Sequence, residues 1–134
     1  MSDKKKEETI WLETPAADDL ASAEHYLRLI FRPGIARALV EKLRRAAPVE
    51  YPAKDLIRAS QTHLLERDNP DVQSDLKKIK KQKKVSPVLL VRGDGVNGAT
   101  LTIADGYHRI CASWHWDEKM PVACRLVDLP GSKP

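Results

Sequence analysis

In the segment Leu101-Thr102-Ile103-Ala104-Asp105-Gly106-Tyr107-His108-Arg109-Ile110-Cys111-Ala112 no linker separates strand from helix. Ala99 to Ala104 alternates apolar and polar residues as a strand does, and Asp105-Gly106 then turns the chain straight into helical spacing from about Tyr107 to Asp117. Just upstream, Val85-Ser86-Pro87-Val88-Leu89-Leu90-Val91-Arg92 reads as a buried strand. Gly93-Asp94-Gly95-Val96-Asn97-Gly98 supplies the turn between the two. A chain holding this strand–turn–strand–helix unit is expected to build a sheet and cover it with helices.

The rest of the chain fits that frame. Residues 1–8 read as a solvated tail, and Ile10-Trp11-Leu12 as a short apolar anchor. Asp18 or Asp19 can cap a helix running to about Phe31, with Leu20, Tyr26, Leu27, Ile30 and Phe31 at helical spacing. Pro33-Gly34 breaks it, and Ile35, Leu39 and Leu43 mark a second helix to about Arg45. The two form an αα-hairpin over residues 9–47, read as a layer added to the chemical centre. Val49 to Tyr51 suits a strand, Pro52 opens a short helix at Ala53–Ala59, and Asn69-Pro70 is a cap and first-turn pair for a helix carrying Val72, Leu76 and Ile79. Pro121 to Val127 suits a last strand, and residues 130–134 a tail. The expected fold is mixed α/β (α+β), a small mixed sheet with packed helices over residues 48–129 plus the N-terminal hairpin.

Composition narrows the functional class. A 134-residue chain that is 42% hydrophobic can bury a working core as one domain. Its longest apolar stretch, Val88-Leu89-Leu90-Val91, is far below the ~20 residues of a membrane span. The N-terminal lysines have no apolar run behind them, so no secretory signal is expected and the cytoplasm is the expected compartment. Cys111 and Cys124, in no ligand-type spacing, are expected to be small buried hydrophobes.

The net charge of +4 is unevenly spread. Between Asp71 and Arg92, seven basic residues face two acidic ones, a local balance of +5. Lys77, Lys78, Lys80, Lys81, Lys83 and Lys84 wrap most of a helix, leaving Ile79 as its apolar contact. Two readings stand side by side: an electrostatic footprint for DNA or another phosphate-bearing ligand, or a solvated helix end whose cations suit the C-terminal dipole.

The strand–helix junction carries the chemistry. A helix N-terminus presents unpaired N–H groups and roughly half a positive charge. Gly106 allows close backbone approach, Arg109 offers a planar fork for two oxygens, and His108 a pH-dependent donor. Cations at that end oppose the dipole unless an anion is present, so the pattern points to an anion or phosphate site. The alternative is a surface Arg109 paired with Asp105 or Asp117.

Ser86-Pro87-Val88-Leu89-Leu90-Val91, the strand pair, and Ile103 to Ala112 together resemble the ParB/sulfiredoxin superfamily. The shared pattern is a Pro-Val strand, a strand ending in Gly, and a helix start of the form Gly-x-x-Arg-x-x-Ala, met by Gly106, Arg109 and Ala112. Asp105-Gly106 with Arg109 also resembles the Asp-Gly-His-Thr-Arg element of free-serine kinases on this fold. The resemblance covers about residues 48–128 and implies a nucleotide, CTP, ATP or ADP with Mg²⁺, held by Ser86, Pro87, Asp105, Gly106, Tyr107, His108 and Arg109. Tyr107 stands where sulfiredoxins place their catalytic Cys, so sulfinic-acid repair is not implied. Where ParB proteins carry arginines, His108, Arg109 and Cys111 imply a weaker triphosphate grip. No helix-turn-helix follows before Pro134, so no sequence-specific DNA reader is expected. The kinases place a catalytic carboxylate near Glu50, which with Asp105 forms the candidate catalytic pair; the alternative for Glu50 is an ordinary surface position.

His108, Cys111 and His115 share one helix stripe, but a fourth ligand is lacking, so no metal is expected. Trp114 and Trp116 suit core or partner packing, with base stacking as the alternative. His25 and His63 stand in no interpretable context. A nucleotide- or phosphate-binding module, partition-type and DNA-associated, is the leading expectation. A small phosphotransferase or nuclease-like enzyme and a ligand-free scaffold are the alternatives, and the αα-hairpin offers a homodimer surface.

Overall fold

The computed structural model describes residues 10–93 and 100–129. The tails expected at 1–8 and 130–134 and the turn expected beyond Gly93 lie outside the described residues. In chain order the elements are α1 (Ala17–Leu27), α2 (Pro33–Arg45), β1 (Val49–Pro52), α3 (Ala53–Ser60), α4 (Pro70–Lys80), β2 (Val88–Arg92), β3 (Thr102–Asp105), α5 (Tyr107–Trp116) and β4 (Pro121–Asp128). The strands make one mixed sheet in the order β1-β4-β2-β3. β2 pairs antiparallel with β3 and parallel with β4, and β1 pairs antiparallel with β4 at the edge. The α+β class expected from the sequence is the class observed.

The sequence of β2 follows from its central place. Leu89 and Val91 face one cluster, with Leu20, Ala23 and Leu27 of α1 and Leu39, Val40 and Leu43 of α2. Val88 and Leu90 face the other, with Ala53 and Leu56 of α3, Ile110 of α5, and Val122 and Cys124 of β4. A strand covered on both faces has no polar face, hence Val-Leu-Leu-Val. Val72, Leu76 and Ile79 of α4 form a third cluster with Cys111 and Ala112 of α5, so α4 lies outermost.

The N-terminal hairpin therefore packs on one face of the sheet and supplies seven of the eleven buried residues of that cluster, which makes it more than an added layer. Its details also depart from expectation. Ala16, and neither Asp18 nor Asp19, sits at the α1 N-cap, and no α1 side chain caps that end. The cap comes from across the fold: the Ala16 N–H donates to Ser86 Oγ at 3.1 Å. α1 stops at Leu27, leaving Ile30 exposed. Pro33-Gly34 opens α2, because proline's missing N–H costs nothing in a first turn. On α2 the stripe Ala36, Leu39, Val40 and Leu43 is buried and Ile35 is not.

Local signals elsewhere hold. Asn69 Oδ1 accepts from the N–H groups of Asp71 and Val72, capping α4 ahead of Pro70. Trp11 is buried and forms an isolated bridge to Val85. Arg125, in β4, is buried and straps the layers, donating from Nη1 to Ala46 O and from Nη2 to Glu13 O. No helix among the described residues is long and apolar enough to cross a membrane.

Candidate functional site

β3 delivers Asp105 to the end of the sheet, and Gly106 turns the chain into α5 with φ +103°. That left-handed conformation suits glycine alone at low strain. Space demands glycine as well: a Cβ there would lie 2.5 Å from Val88 Cγ1 and 2.9 Å from Val88 Cβ. Gly106 thus packs directly against Val88 of β2. The first α5 bond runs from Ile110 N–H to Gly106 O at 2.9 Å, and no side chain caps this end.

Arg109 is the centre of the site, and it points inward. Its side chain is only 14% exposed. Nη1 donates to Ser86 O at 2.6 Å and to Pro87 O at 3.4 Å, while Nη2 stands 3.4 Å from both Asp19 Oδ2 and Asp105 Oδ2. The pairing with Asp105 weighed from the sequence is present, and Asp19 of α1 joins it. Burial and the Asp19 charge push the Asp105 carboxyl up to about 6, against the pull of Arg109. Burial also raises Asp75 of α4, opposed first by Arg109 and then by Lys78 and His108. Two carboxylates thus meet one guanidinium, and Asp75 lies within reach of its charge.

An open cleft of about 680 Å³ adjoins this cluster. Asp105, Gly106, Tyr107 and His108 line it, as do Ser22 and Tyr26 of α1, the edge strand β3, and Ser60 to His63 after α3. Its wall is fixed by Tyr107 Oη donating to His63 O and by Leu101 N–H donating to Ala59 O at 3.2 Å. His108 Nε2 lies 3.5 Å from Asp71 Oδ2 on the rim. Of the residues expected to hold phosphate, Asp105, Gly106, Tyr107 and His108 line the cleft. Ser86, Pro87 and Arg109 lie behind it as its support.

Glu50 is elsewhere. It is exposed on β1, at the edge opposite β3, and with strands ~4.8 Å apart it stands on the order of 14 Å from Asp105. The structure does not bring the expected catalytic pair together. The lysine segment also departs from a single helix. α4 ends at Lys80, and Lys81, Lys83 and Lys84 continue through a turn in which Gln82 has φ +58°. All six lysines are exposed. Trp114 packs against the core, whereas Trp116 is 51% exposed.

The thiols are free and buried. Burial raises Cys111, and burial with the Glu50 charge pushes Cys124 up to about 12. His115 Nε2 lies 2.7 Å from Leu65 O, which holds its ring as part of a half-buried stripe. Sequence reading missed Asp19 and Ser22, whose only local role was to cap or line α1, and passed over His63. No protein-family model matches the chain, and no curated protein or solved structure matches it.

Proposed function

We propose that this chain is a ParB/sulfiredoxin-like binding module that takes a phosphate-bearing ligand, a nucleotide such as CTP, ATP or ADP with Mg²⁺, in the cleft over the α5 N-terminus. The observation that carries the reading is the meeting of cleft and helix end. The cleft opens on the uncapped first turn of α5 between Gly106 and His108, where N–H groups and the dipole favour an anion. His63 and His108 add donors at the walls. Arg109 contributes by holding Asp105 and the lead-in to β2 in place rather than by gripping phosphate. The compartment we assign is the cytoplasm, where buried free thiols persist.

Thermal unfolding with CTP, ATP, ADP and GTP plus Mg²⁺ tests the reading. Ligand at ~100 times Kd adds about 2.7 kcal/mol, a shift of several degrees. His108→Glu puts a carboxylate at the cleft rim, where the helix dipole tolerates it, and should abolish the shift. No shift with any nucleotide overturns the proposal and leaves the ligand-free scaffold.

The second reading, a small phosphotransferase or nuclease-like enzyme on the same fold, is favoured by Asp105. A carboxyl with its pKa pushed up to about 6 and set against a cleft suits proton transfer near neutral pH. Turnover lost in Asp105→Asn would select it, and a nucleotide shift without turnover would select the binding module. We carry homodimer formation as a further proposal, because Tyr26, Leu29, Ile30 and Ile35 are exposed together around the α1–α2 connection. Light scattering should show a dimer that Leu29→Lys converts to monomer.

A further inference from the structure

α4 lies across α5 and divides its side chains between the two ends. Asp71 Oδ2 lies 3.5 Å from His108 Nε2 at the first turn, and Asp75 Oδ1 lies 3.8 Å from Lys78 Nζ, away from the Gln73–Lys77 stripe. Gln73, Leu76, Lys77 and Lys80, one stripe of the same helix, turn toward Trp116 at the last. There they enclose, with Arg67, a cavity of about 210 Å³. Arg67 is fixed by Nη1 donating to His115 O at 3.1 Å, and its own carbonyl accepts from Gln73 Nε2. The result is a half-exposed indole set among three cations, with the α4 carboxylates outside that stripe.

We infer that this patch binds single-stranded nucleic acid, one base stacking on Trp116 while phosphates follow Arg67, Lys77 and Lys80 and the exposed lysines after the helix. Three features favour that occupant. The cavity is smaller than the roughly 300–1,000 Å³ of small-molecule sites, so it admits a flat ring carried on a chain rather than a whole free ligand. Lys81, Lys83 and Lys84, all exposed in the turn that follows Lys80, add further cations for a polyanion backbone to meet. An acidic peptide would satisfy the cations but leave the indole unmatched, since Leu76 is the sole aliphatic residue of the lining. The inference does not depend on the nucleotide cleft, which lies at the opposite end of α5.

The test is an anisotropy titration of the full chain with labelled oligothymidylate, alongside a duplex of equal length and polyglutamate. Saturable binding of the single strand is expected, with quenching of indole fluorescence. Stacking worth ~1 kcal/mol or more per base makes Trp116→Ala weaken binding about five-fold or more, while Trp116→Phe, which keeps a stacking ring, retains most of the affinity. Lys77→Gln with Lys80→Gln should flatten the dependence of log K on log salt by about 0.7 for each phosphate that is no longer neutralised. These exposed substitutions leave the circular dichroism unchanged. Duplex bound as tightly as single strand, or affinity unmoved by Trp116→Ala, overturns the inference. Failure of oligothymidylate to bind also overturns it, and saturable polyglutamate binding in that case assigns the patch to an acidic protein partner.

Discussion

Arg109 Nη1 stands 2.6 Å from the carbonyl oxygen of Ser86, 23 residues away, and that bond joins the start of α5 to the lead-in of β2. Ser86 also caps α1 through its hydroxyl, so α1, β2 and α5 meet at one serine. The residue with the clearest look of a ligand-gripping arginine is thus a strut between three elements.

Removing that strut should be costly. Arg109→Ala removes the donor to the Ser86 and Pro87 carbonyls and sets Asp19 against Asp105 without the guanidinium that both meet. Breaking a buried pair on one side costs about 3–5 kcal/mol. Arg109→Lys keeps the charge but not the fork, and should fall between wild type and alanine. Urea unfolding with and without nucleotide separates this loss from any effect on binding, and near-native stability of Arg109→Ala would contradict the strut.

Asp105 makes stability pH-dependent in a definite direction. Its carboxyl is raised from 3.8 to about 6 in the folded protein, so the folded state holds a proton that the unfolded state has released. The stabilisation is fully present below about pH 4 and is lost as pH rises through about 6, with an upper bound on the order of 3 kcal/mol. Asp105→Asn should flatten the profile of unfolding free energy between those values. Asp75, raised as well, leaves a smaller slope of the same sign. An unchanged profile in Asp105→Asn would place the coupling elsewhere.

Gly106→Ala should destabilise the fold whether or not ligand is present. The new methyl meets the Val88 side chain and Cα, and φ +103° strains any L residue. Overpacking and backbone strain together amount to roughly 2–4 kcal/mol. Calorimetry reads the loss directly, and a melting temperature within a degree of wild type would refute the packing role.

Both thiols should be inert in the native state. Cys111 and Cys124 are buried with raised pKa values, and only a thiolate reacts readily. Iodoacetamide at neutral pH should label neither until denaturant is added, after which both react. Fast native labelling at Cys111 would mean that the α4–α5 contact opens freely.

What local chemistry controls was legible in the amino-acid order. Val72, Leu76 and Ile79 declared α4, Asn69-Pro70 marked its start, the apolar run Val88–Val91 marked the central strand, and Asp105-Gly106 marked a sharp strand-to-helix turn. These signals act over a few residues, through spacing, capping and φ preference, and so are visible in one dimension. Strand order is not local. The sheet order separates Glu50 from Asp105 by two strands, and the α1–β3 packing brings Asp19 to Arg109 across 90 positions. The same periodicity that made Trp114 and Trp116 look alike left one in the core and the other exposed beside α4. Whether Arg109 faced solvent or a ring of carbonyls and carboxylates was settled by the packing of the layers, because burial and charge pairing depend on which distant elements close over a side chain.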